Sequence, residues 1–334
     1  MLKADTIAAI STPPGEGAVA IIRISGTSCR DILKEVFSTD RPLGKPRTLF
    51  HGQIKRGAEV IDSGLAVFFA GPASYTGEDV VELHCHGGIL SAAKVLEAVL
   101  ETGARAADPG EFTQRAFVNG KMDLTQAEAV MDIIQARTPL ALQAAQKQLE
   151  GALGLQIEQL RKHLLELVAN VEAWIDFPDE DIDPQTGADL KTNIESTLVG
   201  IRHLIDSAAT GRILREGVSL VIYGAPNAGK SSLLNQLLGT DRAIVTPTPG
   251  TTRDTIEEMV SIGGFLFRIT DTAGLRSTED PVEQLGVNRT REAIESADVL
   301  IHIVDALSGD SLRAARADAL LRAHDLRLFP GNYQ

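Results

Sequence analysis

Val218-Ser219-Leu220-Val221-Ile222-Tyr223-Gly224-Ala225-Pro226-Asn227-Ala228-Gly229-Lys230-Ser231, continuing into Ser232-Leu233-Leu234-Asn235-Gln236-Leu237-Leu238, decides the fold of the C-terminal part of this chain. The aliphatic run at its start reads as a buried strand. Gly224 to Ser231 fits the GxxxxGK[ST] spacing, and the last seven residues read as a helix. Strand, glycine-rich loop and helix in that order make a phosphate cradle. Backbone N–H groups close on the phosphates at the helix N-terminus, Lys230 puts a point charge on the β- and γ-phosphates, and Ser231 offers a hydroxyl to Mg²⁺. A glycine-rich turn that binds nothing is the competing explanation, and the flanking strand and helix weigh against it.

Two later segments narrow the class. Phe265-Leu266-Phe267-Arg268-Ile269-Thr270 reads as a strand ending in Asp271-Thr272-Ala273-Gly274, where Asp271 can hold Mg²⁺ through water and Gly274 can bring its N–H to the γ-phosphate. Between them lies Gly250-Thr251-Thr252-Arg253-Asp254, a loop able to carry a Thr hydroxyl to Mg²⁺ only while the γ-phosphate is present. A loop with that dependence is a switch.

Upstream, the pattern is first strand-like and then helical. Ala18 to Ile24, Gly64 to Phe69 and Asp79 to Leu83 are short β-branched runs, Leu90 to Leu100 is an apolar helix, and together they imply a small α+β domain. From Leu149 to Trp174 apolar residues recur at spacings of four and three, through Leu153, Ile157, Leu160, Leu164, Leu167 and Val171. This predicts one long amphipathic helix. Pro178 and Pro184 with the acids between them predict a solvated loop. A second helix is expected from Leu190 to Arg215, with Ile194, Leu198, Ile201 and Ile205 facing inward. His84-Cys85-His86 invites a zinc site, but in a strand the two histidines share a face that the cysteine does not, and no second ligand cluster occurs.

At 334 residues the chain has room for two or three domains. Its 32 Lys plus Arg against 45 Asp plus Glu give a net charge of −13, the wrong sign for a broad nucleic-acid-binding surface. RNA would need a local patch or a basic partner. Two cysteines are too few for a disulfide framework, no secretory signal opens the chain, and no apolar run approaches the ~20 residues that span a bilayer. A cytoplasmic location without membrane association is therefore expected.

These motifs, together with Asp5-Thr6-Ile7, Thr12-Pro13-Pro14-Gly15, Ile21-Ile22-Arg23-Ile24-Ser25-Gly26, Phe112-Thr113-Gln114-Arg115-Ala116-Phe117, Asp176-Phe177-Pro178-Asp179-Glu180 and Leu275-Arg276, closely resemble the MnmE (TrmE) family of tRNA-modification GTPases. The resemblance covers nearly the whole chain. It implies a multidomain α+β and α/β protein: a folate-binding, dimer-forming domain over 1–119, a helical domain over 120–216, and a P-loop GTPase domain over 217–334. The implied activity is K⁺-activated GTP hydrolysis in the modification of the tRNA wobble uridine (U34), adding an aminomethyl or carboxymethylaminomethyl group. The implied partners are tRNA, a second copy of the chain, and an FAD-dependent MnmG-type protein in a heterotetramer.

The resemblance also distributes roles among residues. GTP and its phosphates fall to Asn227, Ala228, Gly229, Lys230, Ser231, Ser232, Thr246, Thr251, Thr252, Asp271, Thr272, Ala273 and Gly274. Mg²⁺ falls to Ser231 and Thr252, and K⁺ to Asn227, Thr246, Thr248 and Thr251. Related GTPases orient the attacking water with a Gln after the Asp-x-x-Gly element, but this chain has Leu275 there, which cannot hydrogen-bond. By resemblance, Glu283 takes the catalytic role. A reduced folate, the 5-formyl or 5,10-methylene form of tetrahydrofolate, is the implied one-carbon donor, with Arg23, Glu82 and Lys121 at the matching positions. A carboxylate suits the amino edge of a pterin, and the two cations suit an anionic glutamate tail.

Two family elements do not occur in the 334 residues: the Asn-Lys-x-Asp element that reads guanine, and the terminal Cys-x-Gly-Lys. Truncation of the GTPase domain is the expectation, with poor discrimination between GTP and ATP as its consequence. A ribosome-assembly or regulatory GTPase, and a catalytically incompetent fragment that keeps only the folate-domain dimer, are the alternatives.

Overall fold

The structure is a computed structural model and describes residues 5–41, 45–176, 187–224, 228–240, 257–271, 294 and 296–304. The chain falls into two compact units, one of Met1–Met131 with Leu149–Gly154, the other of Asp132–Gln148 with Leu155–Gln334.

In the first unit the order is β1 (Ile7–Ile10), β2 (Val19–Ser25), α1 (Cys29–Val36), β3 (Phe37–Ser38), β4 (Phe50–Arg56), β5 (Glu59–Phe69), β6 (Val80–His86), α2 (Ile89–Glu101), β7 (Arg105–Ala106), α3 (Glu111–Val118) and most of α4 (Leu124–Gln135). The strands form one sheet in the order β3-β4-β5-β6-β2-β1-β7, antiparallel except where β7 joins β1. Alternation along the strands divides its faces. Ala20, Ile22 and Ile24 of β2, Val81, Leu83 and Cys85 of β6, and Ala66 and Phe68 of β5 pack with Ile32, Leu33 and Val36 of α1 and Ala92, Val95 and Val99 of α2. Each fully buried Ile or Leu here contributes about 1.5–3 kcal/mol. The strands and helix expected between residues 18 and 100 are thus present. β5 starts earlier than its apolar run because a two-residue turn at Gly57-Ala58 pairs Arg56 with Glu59 and carries the hairpin through polar positions.

The opposite face holds a buried ion cluster. Arg115 of α3 is 1% exposed and donates to the Asp5 carbonyl at 2.9 Å, to Asp5 Oδ1 at 2.6 Å, to Glu78 at 3.1 and 3.3 Å and to Glu111 Oε1 at 3.0 Å. Arg105 donates to Glu111 and Asp5, and Ser25 Oγ donates to Glu78 at 2.7 Å. These bonds tie the start of the chain, the loop before β6 and α3 together.

The second unit contains α5 (Pro139–Leu149), α6 (Ala152–Asp176), α7 (Gly187–Glu216), β8 (Val218–Gly224), α8 (Lys230–Thr240), β9 (Glu257–Ile262), β10 (Phe265–Asp271) and β11 (Val299–Ile303). Their sheet runs β11-β8-β10-β9, with β8 parallel to both neighbours and β9 antiparallel to β10. Leu220 and Ile222 of β8 pack against Leu233, Leu234, Leu237 and Leu238 of α8. Two expectations are corrected. Leu149 ends α5 rather than starting the long helix, because Gly151 takes φ +85° and breaks the path before Ala152. Ile194, Leu198 and Ile205 are exposed, Ile205 to 65%, and α6 buries no residue fully. The physical reason is that these residues share one face of α7, while α6 approaches α7 at Gly200, where Leu160 lies close, and leaves that face uncovered. The acidic segment 177–184 lies outside the described residues. Among the described residues no helix is long and apolar enough to cross a membrane.

The ion cluster sets an acid limit. Hydrogen bonds from Arg105, from the Asp108 backbone N–H and from Arg115 hold Glu111 down to about 2 against its burial, from an ordinary 4.5. Asp5 is lowered too, first by Arg105. A lowered folded-state value means stability that is complete above the unfolded value and lost as pH falls toward the folded one. Denaturant melts of the first unit's transition should therefore be flat above pH 5 and lose about 3 kcal/mol from Glu111 between pH 4.5 and 2. Arg115→Met should cost about 1–3 kcal/mol at pH 7, since Glu78 loses its ion partner and Asp5 and Glu111 keep only Arg105. A profile flat down to pH 2.5 would contradict the cluster's role.

Candidate functional site

On the open face of the seven-stranded sheet, the antiparallel register sets Arg23 of β2 directly opposite Glu82 of β6. Arg23 donates from Nε to Glu82 Oε1 at 2.9 Å, and its Nη2 lies 2.9 Å from the same oxygen. The guanidinium is flanked by two rings, with its carbon 5.2 Å from the centre of Tyr75 and 5.7 Å from that of Phe112. Tyr75 is fixed by a hydrogen bond between its hydroxyl and Thr113 Oγ1 at 2.8 Å. The other oxygen of Glu82 points toward His84, whose Nε2 is buried, has no hydrogen-bond partner and lies 3.6 Å from it. Lys121 follows α3, its N–H bonded to the Ala116 carbonyl, and its stem packs at Gly77, two residues beyond Tyr75.

The structure thus brings Arg23 and Glu82 into contact and places Lys121 against the loop that carries Tyr75. Sequence reasoning gave Tyr75 and Phe112 no role and weighed His84 only as a zinc ligand. With aromatics at 4% of the chain, the rings near this loop were the available signal. Both cysteines are buried, and burial first of all pushes their thiols up, Cys29 to about 12, so neither is a ready nucleophile. Among the described residues no three His, Cys, Asp or Glu side chains gather as a metal site.

In the second unit β8 ends at Gly224 and α8 begins at Lys230, at the C-terminal ends of parallel strands where open α/β sheets carry ligands. Lys230 is 8% exposed, and its ammonium donates to the Gly224 carbonyl at 3.0 Å, so the side chain folds back over its own loop. Ala228 and Gly229 precede it, Gly229 at φ +99°, and Ser231 and Ser232 are exposed on the first turn of α8. Asp271 closes β10, in register with Ile222 of β8. Asn227, Thr246, Thr248, Thr251, Thr252, Thr272, Ala273, Gly274 and Glu283 lie outside the described residues.

Residues 6–121 match the sequence family described as GTP-binding protein TrmE N-terminus, and residues 124–326 match the MnmE helical domain. The chain is 50% identical to the tRNA modification GTPase MnmE of Natranaerobius thermophilus over 306 residues, 90% of this chain and 67% of that one. It is 50% identical to the protein of the same name from Akkermansia muciniphila over 304 residues, covering 90% and 68%. With that of Heliobacterium modesticaldum it shares 48% over 324 residues, covering 95% and 69%. The chain therefore spans about two thirds of the length of these relatives. The crystallised G domain of the T. maritima FeoB iron transporter matches 31% of this chain and 65% of its own at 26% identity, with a TM-score of 0.22 that supports no statement about fold.

Loop, lysine and parallel strands define a P-loop nucleotide-binding protein joined to an N-terminal α+β unit. The chain belongs to the MnmE family of tRNA modification GTPases.

The two loop glycines do different work. A Cβ on Gly224, at φ +154°, would lie 2.2 Å from the Ile303 carbonyl oxygen of β11, whereas one on Gly229 would meet nothing within 4 Å. Gly224→Ala should part β8 from β11 and cost about 1–3 kcal/mol from overpacking in addition to backbone strain. Gly229→Ala should cost strain alone, about 1–2 kcal/mol. Thermal melts of the two variants, with amide exchange at β11, check this; equal losses and unchanged exchange would contradict it.

Proposed function

We propose that this chain hydrolyses GTP as part of wobble-uridine modification in tRNA, and that its N-terminal unit holds the reduced folate that donates one carbon. The observation that carries the first half is the fold-back of Lys230 over Gly224 at the head of α8, in a chain half identical to tRNA modification GTPases. The donor set around Arg23 fits the second half. A half-buried carboxylate with one oxygen outside the ion pair, an imidazole nitrogen lacking a partner, and two aromatic faces suit the polar edge and flat body of a pterin. Lys121, near the same loop, suits the anionic tail.

At the nucleotide site, Ser231 and Thr252 would hold Mg²⁺, with Asp271 reaching it through water. Asn227, Thr246, Thr248 and Thr251 would hold K⁺. When bound, these cations supply positive charge to the phosphates as the bond to the γ-phosphate breaks. Glu283 would position the attacking water. The three-part division at 119 and 216, a homodimer through the N-terminal unit and an FAD-dependent MnmG-type partner complete the reading. An acidic chain at −13 suits a partner that supplies much of the RNA-binding surface.

GTP hydrolysis by the purified chain in KCl against NaCl tests nucleotide and cation together. Lys230→Ala should abolish nucleotide binding, and unchanged GTP affinity would remove the phosphate assignment. Arg23→Ala should weaken binding of 5-formyltetrahydrofolate in calorimetry with little change in melting temperature, because a partly exposed ion pair contributes only about 0–1 kcal/mol to stability. Unchanged folate affinity would count against the site.

A further inference from the structure

On the helix side of the seven-stranded sheet a cavity of about 130 Å³ opens between α1 and the strands β4 and β5. Its floor is apolar: Leu33 of α1 and Phe68 of β5 are buried, and Phe50 of β4, opposite Ala66 in the register, packs beside them. Its rim is cationic. Arg30 and Lys34 of α1 and Lys45 stand around the opening, and no acid is among the described residues that line it. A volume of that order holds one benzene-sized ring, and an apolar floor offers water few partners.

The rim is positioned by contacts outside the cavity. The Arg30 guanidinium carbon lies 4.0 Å from the centre of the Phe68 ring, while its Nε is 3.1 Å from Asp79 Oδ2. The segment carrying Lys45 is tied across the end of β5, because the Arg47 N–H donates to the Phe68 carbonyl at 2.7 Å and Arg47 Nη2 donates to the Ala73 carbonyl at 2.8 Å. Lys34 pairs at 2.7 Å with Asp31 of its own helix, both well exposed, so an arriving anion shares that ammonium at little cost. Lys45 has no ion pair among the described residues. Against Asp31 and Asp79 the three rim cations leave a positive surplus, in a chain whose total charge is −13.

We propose that this cavity is a separate small-molecule site of the first unit, taking a flat apolar ring that carries one oxyanion group. The ring lies against Leu33, Phe50 and Phe68, and the anionic group is held at the rim by Arg30, Lys34 and Lys45. Carboxylate and phosphate both meet a guanidinium through paired oxygens, so a ring-bearing oxyanion is the shared chemistry. The cavity lies on the opposite side of the sheet from Arg23 and Glu82, and the proposal rests on neither the folate nor the nucleotide reading.

The test uses the whole chain, with phenylacetate and phenyl phosphate as probes. Binding is read from the leucine methyl signals in ¹H–¹³C spectra, with Leu33 assigned from its loss in Leu33→Met. At least one probe should shift the Leu33 methyls saturably at about millimolar concentration or below, the range open to a ligand of about ten heavy atoms. The tighter of the two identifies the anionic group. The neutral phenylacetamide should bind several-fold more weakly than that probe, and the double variant K34Q/K45Q, changed only at exposed positions, should weaken the probe several-fold as well. No saturable shift with either probe overturns the proposal, as does equal binding of phenylacetamide or unchanged affinity in K34Q/K45Q. Acetate or inorganic phosphate shifting the same methyls as strongly also overturns it, since the ring would then contribute nothing.

Discussion

The pairing of β2 with β6 is the constraint from which the N-terminal unit follows. Ile22 faces Leu83 and Ile24 faces Val81 on the helix side, all fully buried, so the intervening Arg23 and Glu82 must emerge together on the other side. A slip of one residue would send a guanidinium and a carboxylate into the aliphatic core and expose four aliphatic side chains, which several kcal/mol of burial per pair forbids. The position of the charged pair is thus set by apolar residues that never touch a ligand. Arg115 then ties down what lies above that face, because its two buried Nη groups find acceptors only where Asp5, Glu78 and Glu111 converge, while its Nε has no hydrogen-bond partner.

Local pattern made much of this legible from sequence. Runs such as Ala18 to Ile24 and Val218 to Tyr223 became strands because period and β-branching act over a few residues, and the phosphate loop was readable because its chemistry is contiguous. Long-range pairing was not legible. Arg23 meets Glu82 across 59 positions and Arg115 meets Asp5 across 110, and no periodicity encodes such partners. Arg115 stood in a recognised motif without a role, since burial of a charge cannot be seen until its acids arrive. The helices failed differently: the seam through Ile194, Leu198 and Ile205 has helical spacing, yet spacing states only that residues share a face, not that another element covers it.

The two candidate sites are built by opposite means. At the nucleotide loop the backbone does the shaping: Gly224 allows β11 to approach where a side chain would collide, and Lys230 can lie over the Gly224 carbonyl. A charged ligand arriving there replaces a neutral carbonyl as the partner of the ammonium, an exchange that favours the charge-assisted bond. On the open face, side chains do the shaping, and their ion pairs exist before any ligand.

That prior pairing bears on what Glu82 can do. Arg23 approaches a single oxygen of Glu82, Oε1, with two of its nitrogens and leaves Oε2 toward the unpartnered Nε2 of His84. A ligand presenting an N–H edge can therefore bond to Oε2 without breaking the ion pair. The guanidinium orients the carboxylate and keeps it charged rather than competing for it, and Tyr75 and Phe112 limit where the guanidinium can go. An arginine held this way is committed to positioning the carboxylate, whereas Lys121, packed by its stem at Gly77, has no ion pair among the described residues.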